Sequence, residues 1–162
     1  MSIAFRRAVE NDIPVIRELA EKIWRAHYIS IISMEQIEYM LDKMYSEKSL
    51  KEQLVRQPFT LIMKDGMAAG YYSVSETAPG EHYLHKFYID NSNQRSGIGS
   101  AAMDFLLRSI LDGSVIRLQV NRKNVNAINF YFRHGFRIAY AKDFEIGGGY
   151  TMDDFVMERQ MA

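Results

Sequence analysis

Cysteine is absent from the 162 residues. That excludes disulfides, thiolate zinc sites and a cysteine nucleophile, and it is compatible with a reducing compartment. Neither sign of charge is in surplus: 20 Lys plus Arg face 20 Asp plus Glu. Without a basic excess to meet a phosphate backbone, nucleic acid is not expected as a partner. No run approaches the roughly 18 apolar residues of a membrane span, and Met1 to Glu10 lacks the apolar core of a signal peptide. The expectation is a cytoplasmic protein with no membrane partner. The four histidines form no ligand-spaced cluster, so no metal is expected. No low-complexity tract, internal repeat or linker interrupts the chain. What is there is 48% hydrophobic and 25% charged residues, the composition of a folded protein, in a length suited to one domain spanning residues 1–162.

The hydrophobic period changes several times along the chain. Ile3 to Arg6 reads as a short strand. Asp12, as a candidate N-cap, and Pro14 open a helix from about Ile13 to Trp24, with Val15, Ile16, Leu19, Ile23 and Trp24 as its apolar stripe. Ser33 and Gln36 resemble a capping box for a helix over Met34 to Tyr45, and a shorter helical piece from Lys48 to Gln57 stops at Pro58. Phe59 to Met63 and Ala68 to Val74, joined at Lys64-Asp65-Gly66, read as an antiparallel hairpin, and His82 to Ile89 as a third strand after Pro79-Gly80. A helix begins at Gly97 to Gly99 and carries Ile98, Ala102, Phe105, Leu106 and Ile110 to Asp112-Gly113. Then come a strand, Val115 to Val120, a short helix, Asn126 to His134, and a terminal hairpin, Phe136 to Ile146 with Thr151 to Gln160. The order is mixed α/β.

The chemistry concentrates where the third strand leads through a polar turn into Gln94-Arg95-Ser96-Gly97-Ile98-Gly99-Ser100. Backbone N–H groups at a helix N-terminus lack intrahelical partners and carry partial positive charge, so such a turn can hold a pyrophosphate. A Gly-x-Gly here is equally what a tight strand-to-helix turn requires, and Ala102, three residues after Gly99, leaves a dinucleotide fingerprint open as well. Two further segments bear on the choice: Asn121-Arg122-Lys123-Asn124-Val125-Asn126-Ala127-Ile128-Asn129-Phe130-Tyr131, and His134-Gly135-Phe136.

Gln94-x-x-Gly97-x-Gly99 resembles the pyrophosphate-binding motif of the GNAT acetyltransferases, and Asn124-x-x-Ala127-Ile128-x-Phe130-Tyr131-x-x-x-Gly135-Phe136 resembles that superfamily's second motif. Both stand in the family's order, and the resemblance covers nearly the whole chain. It implies a GNAT-like fold: a mixed, twisted sheet of six or seven strands, antiparallel apart from the cofactor-binding pair, with helices on both faces. It implies acetyl-CoA as donor and a primary amine as acceptor, a small molecule, a polyamine or a peptide, acetylated by direct attack. A non-catalytic acyl-CoA-binding or regulatory module with the same fold is the alternative.

The resemblance places the pantetheine amides against the backbone of Phe87, Tyr88 and Ile89 and the pyrophosphate at Gln94 to Ser100, with Asn121, Asn124 and Asn126 completing the cofactor contacts. An asparagine before a helix is also an ordinary cap. Tyr131 is the candidate that protonates the leaving thiolate; its other reading is a ring packed beside Phe130 and Phe132. Many relatives carry a glutamate near the middle of the strand before the turn, where this chain holds Tyr83. Period-two alternation sets Tyr83, His85, Phe87 and Ile89 on one face, which makes His85 a candidate base or a packed histidine; Glu76, Glu81 and ordered water are alternatives. For the acceptor, Trp24, Arg25, His27, Tyr28, Tyr39, Tyr45, Tyr150, Asp153 and Asp154 are candidates, against a reading of Trp24 and Tyr28 as core and the two aspartates as a solvated strand start. The terminal hairpin is a candidate surface for a homodimer.

Overall fold

A computed structural model describes residues 1–93 and 96–162. The elements run β1 (Ile3–Arg7), a 3-10 turn (Glu10–Asp12), α1 (Ile13–His27), α2 (Met34–Tyr45), α3 (Glu47–Arg56), β2 (Phe59–Lys64), β3 (Met67–Ala78), β4 (Glu81–Ile89) and a second 3-10 turn (Asn91–Asn93). They continue with α4 (Ile98–Arg108), β5 (Val115–Asn121), α5 (Val125–Arg133), β6 (Arg137–Gly147) and β7 (Tyr150–Gln160). The strands form one seven-stranded sheet in the order β1-β2-β3-β4-β5-β7-β6. Of the pairings described, β4 with β5 is parallel and the rest are antiparallel. The expected mixed α/β architecture is present. The chain divides into two compact units, Met1–Val74 with Lys86–Ala102, and Ser75–His85 with Met103–Ala162.

In the first unit, β1 pairs with β2 and β2 with β3. Lys64 faces Met67 across a two-residue loop in which Asp65 and Gly66 both have positive φ, 49° and 81°. An Asp-Gly pair meets that demand, and its twist suits the hairpin. Asp12 does not cap α1. Its carboxylate turns back to Arg6 in a two-point ion pair (2.9 Å for each oxygen) and accepts from the Val9 N–H (2.8 Å), which closes the first 3-10 turn. Ser33 Oγ caps α2 by accepting from Gln36 N (3.1 Å), and Ser46 does the same for α3 through Ser49 N (3.2 Å). The buried stripe of α1 is Ile13, Ile16, Leu19, Ala20, Ile23 and Trp24, while Val15 is exposed.

The core of this unit is aromatic. Trp24 stacks on Tyr28 (centroids 4.3 Å), Phe59 on Tyr71 (6.0 Å), and the Tyr71 hydroxyl donates to that of Tyr45 (2.7 Å). Lys86 is buried here, with its ammonium 5.4 Å from the Phe59 ring centre and 5.8 Å from that of Tyr45, and burial pulls its pKa down to about 8. Gly70 lies against β4 so closely that a Cβ there would meet the Tyr88 carbonyl oxygen at 2.3 Å. That oxygen is backbone and has no rotamer to escape into. Gly70→Ala is therefore expected to cost about 3 kcal/mol, read as a lower urea midpoint, because β4 must shift to admit one methyl group.

In the second unit, β5 lies between β4 and β7. Its parallel ladder with β4 runs from Glu81↔Val115 to Leu84↔Leu118, and its antiparallel ladder with β7 from Val115↔Gln160 to Asn121↔Asp154. Ile116, Leu118, Val120 and Met157 are buried, as are Met103, Leu106 and Leu107 of α4 and Ile110 just beyond its end. Phe105 is exposed, because the buried arc of α4 centres on Leu106 and leaves Phe105 at its margin. Three consecutive glycines, Gly147 to Gly149, all with positive φ, turn β6 into β7, and β6 is exposed over most of its length.

Candidate active site

In the first unit, the candidate cofactor residues lie at the end of β4 and the start of α4. Tyr88 points into the aromatic core, its hydroxyl 3.3 Å from that of Tyr28, and Phe87 stacks on Tyr72 (6.3 Å). Ile89 ends the strand. Asp90 then anchors the chain: its N–H donates to the Ala69 carbonyl and its carboxylate accepts from Lys22, both at 2.8 Å. The second 3-10 turn follows, and the Ser96 hydroxyl donates to the Asn93 carbonyl. Gln94 and Arg95 lie outside the described residues. Gly97 adopts φ +84°, and a Cβ there would touch nothing within 4 Å. The first helical bond of α4 runs from Ala101 N to Gly97 O (3.0 Å), so Ile98 and Gly99 stand in the first turn, whose N–H groups precede the intrahelical ladder. Left-handed backbone, open space and a helix N-terminus together suit an anionic oxygen.

In the second unit, the candidates lie at the end of β5 and on α5. Asn121 is buried and its Oδ1 accepts from Lys123 N (2.9 Å). Asn124 is the N-cap of α5, its Oδ1 3.4 Å from Ala127 N, and it too is buried. The cap reading of Asn124 therefore holds, and its amide oxygen is committed to the cap, which leaves the Nδ2 donors. Asn126 is exposed on the first turn. Tyr131 is 8% exposed, with Phe130 and Phe136 packed edge-on at 5.5 and 5.6 Å between ring centres. Gly135 ends α5 with φ +84°, and the Phe136 N–H returns to the Tyr131 carbonyl (3.0 Å). These bonds fix the backbone that carries the phenol.

The same unit gathers a set of polar groups on one sheet face. The pairings Tyr83↔Arg117, Arg117↔Glu158 and Asn121↔Asp154, with strict alternation, place Tyr83, His85, Asn121 and Asp154 on that face. His85 Nε2 is 2.7 Å from the Ser75 hydroxyl, and its ring lies 5.1 Å from that of Tyr83. Burial, and then the nearby Asp154 carboxylate and Tyr140, push the Tyr83 phenol well above its ordinary value. Tyr83 is a neutral donor at working pH and not a base. Glu81 is tied to Arg117 (2.9 Å), and Glu76 is exposed.

Asp154 was legible as an acidic residue near the site, but its burial was not. It is 6% exposed, and its Oδ1 is buried with no hydrogen-bond partner among the described residues. Burial pushes its carboxyl up to about 6; Arg122 opposes the shift, and Asp153 and Asp143 reinforce it. The unfolded chain loses that proton near 3.8 and the folded chain near 6, so between those values the folded state holds more protons and stability falls as pH rises. Asp154→Asn is expected to remove that fall and to raise stability at pH 7 by on the order of 1–2 kcal/mol, measured by urea melts at pH 4.5 and pH 7.

Of the candidates for acceptor recognition, Trp24, Tyr28 and Tyr45 are core residues. Arg25 is held between Glu21 (2.7 Å) and Glu38 (2.6 Å). A groove of about 680 Å³ in the first unit is lined by α1, α2 and the start of α3, including Glu18, Glu21, Glu38 and Asp42. It shares no residue with the cofactor and catalytic candidates, and two of its carboxylates already serve Arg25. Among the described residues no His, Asp and Glu cluster can hold a metal ion, and no helix is long and apolar enough to cross a membrane.

Comparison with known proteins adds identity to this geometry. Residues 29–148 match the family model described as an acetyltransferase (GNAT) domain. A spermidine N(1)-acetyltransferase of Thermoplasma acidophilum is 24% identical, with 99% of this chain and 98% of that protein covered. The crystal structure of the PaiA N-acetyltransferase from Thermoplasma acidophilum in complex with coenzyme A superposes with a TM-score of 0.79 at 26% identity, covering 99% of each chain. A GCN5-related N-acetyltransferase from Rhodopseudomonas palustris shares the fold with a TM-score of 0.82 at 16% identity, covering 99% of this chain and 97% of that one.

Proposed function

Since the chain belongs to the GNAT acetyltransferase family, we propose that it transfers the acetyl group of acetyl-CoA to a primary amine of a polyamine such as spermidine, as a single-domain cytoplasmic enzyme. The observation that carries the donor half is the Gly97 turn: left-handed backbone, nothing where a Cβ would stand, and the first-turn N–H groups of α4 immediately after it. The acceptor half draws on the spermidine N(1)-acetyltransferase that aligns along nearly the full length of both chains.

In this reading the backbone of Phe87, Tyr88 and Ile89 bonds the pantetheine amides as an added strand would, and Ser96 to Ser100, with Gln94 and Arg95, hold the pyrophosphate. Asn121, Asn124 and Asn126 offer the remaining amide contacts. The amine nitrogen attacks the thioester carbonyl directly; the absence of cysteine removes the thiol that would carry an acyl-enzyme. Tyr131 donates its phenolic proton to the sulfur as the C–S bond breaks. Tyr83, neutral on its face, donates a hydrogen bond and does not accept the amine proton.

Two measurements test the proposal. Thermal melts with acetyl-CoA, NAD and ATP at equal concentration are expected to show stabilisation by acetyl-CoA alone, about 2.7 kcal/mol at a hundredfold excess over Kd. CoA release is then followed with spermidine, an aminoglycoside, free amino acids and N-terminal peptides. Turnover with spermidine supports the acceptor class. Turnover with peptides alone overturns it, and CoA release with none of the amines overturns the transfer reading.

A further inference from the structure

A carboxylate taken out of water without a hydrogen-bond partner is costly, and folded proteins retain such groups where the group has work to perform. Asp154 is in that state. Its Oδ1 is buried and unpartnered among the described residues, while the Arg122 guanidinium hydrogen-bonds other acceptors: Nε donates to the backbone carbonyl of Asp154 (3.1 Å) and Nη2 to the Asp143 carboxylate (2.5 Å). Lys142 faces Asp154 across the β6–β7 ladder, and its ammonium lies 5.1 Å from the Phe144 ring centre. Asp143 and Asp153 add negative charge around Asp154, and Tyr83 and Tyr140 are near enough for their phenols to feel one another. The result is a buried acceptor atom without a hydrogen-bond donor of its own, among charges of both signs (Arg122 against Asp153 and Asp143), on the face that also carries Tyr83 and His85. A cation that donates hydrogen bonds would satisfy it.

We propose that Asp154 receives the ammonium group of the acceptor and takes its proton, serving as the general base of the transfer. The proposal rests on the amine-acceptor reading above. An ammonium nitrogen has no lone pair, so one N–H proton must leave before attack. It passes to the Asp154 carboxylate, giving the carboxylic acid and the neutral amine. The amine lone pair forms the C–N bond to the acetyl carbon, and the C–S bond breaks with its electron pair on sulfur. The second N–H proton leaves the nitrogen and, through the Tyr131 phenol, ends on the thiolate as CoA-SH. Asp154 returns its proton to water. With a carboxyl near 6, Asp154 is ionised at pH 7 and gives up the proton it gains without delay. His85 Nε2 lies 2.7 Å from the Ser75 hydroxyl and its ring 5.1 Å from that of Tyr83; in this proposal the proton goes to Asp154 and not to His85.

The test compares Asp154→Asn with wild type and with His85→Gln, using spermidine as the probe. Asp154→Asn keeps the shape of the side chain. It is expected to lower kcat/KM by roughly a hundredfold or more at pH 7 while acetyl-CoA affinity by calorimetry stays within about twofold. The wild-type profile should carry an acidic limb near pH 6 that persists in His85→Gln and vanishes in Asp154→Asn, and the deficit of Asp154→Asn should narrow as pH rises and the amine deprotonates unaided. A loss below about threefold, an unchanged acidic limb, or an equal loss at every pH overturns the proposal. If wild type acetylates a peptide N-terminus and not spermidine, the polyamine reading falls, and the same profiles measured on that peptide still decide the role of Asp154.

Discussion

Gly97→Glu is expected to weaken acetyl-CoA binding by at least about a hundredfold while leaving the protein folded. The turn at Gly97 is left-handed, φ +84°, and open to at least 4 Å where a Cβ would lie. Nothing in the protein is displaced by a side chain there, so the structural cost is the backbone strain of a non-glycine residue, on the order of 1 kcal/mol. The binding cost is larger. A carboxylate at this position meets a pyrophosphate of the same sign, and a like-charge contact costs several kcal/mol, against 1.4 kcal/mol for each tenfold in Kd. Gly97→Ala separates the two effects: it carries the strain without the charge and should bind acetyl-CoA within about tenfold of wild type. Calorimetry on both variants gives the comparison. Unchanged affinity in a folded Gly97→Glu protein would remove the pyrophosphate from this turn.

Tyr131→Phe is expected to lower turnover by roughly ten to a thousandfold with acetyl-CoA affinity nearly intact. The ring is buried against Phe130 and Phe136, and those contacts survive the substitution, as do the backbone bonds from Phe136 and His134 to the carbonyl of residue 131. Only the hydroxyl goes. The loss should shrink for an acyl donor with a better leaving group, because a stabler leaving anion needs less protonation in the transition state. Equal loss with both donors alongside a lower Tm would mean that the phenol holds the structure and does not assist the sulfur.

Much of the fold could be read from period and caps. Ser33 followed by Gln36, Asp65-Gly66 and the glycine at residue 135 are local signals with local outcomes, and the elements they mark stand where expected. Asp12 shows the limit. A carboxylate before a helix looks like a cap from the sequence, but a partner six residues upstream, Arg6, turns it the other way. Val15 and Phe105 fell out of their stripes because a helix buries an arc whose centre is set by the neighbouring elements. At the candidate site, the glycine turn and the two motifs were visible as motifs. Asp154 was visible as a charge but not as a buried one. Asp153 and Asp154 are identical in the sequence, and the β5–β7 register is what sends one to solvent and the other beside Tyr83. The alternation of Asp154 with buried Val156 was the available signal, and it becomes readable only once the strand is known to lie inside the sheet and not at its edge.

The most direct test of the account is the stoichiometry of a single reaction: purified protein, acetyl-CoA and spermidine, with CoA counted by its thiol and the polyamine product identified by mass spectrometry. One mono-acetylated spermidine is expected for each CoA released, at a rate that depends on both substrates and is lost in Gly97→Glu. CoA released without acetylated spermidine, or acetyl-CoA bound tightly with neither product appearing, would contradict it.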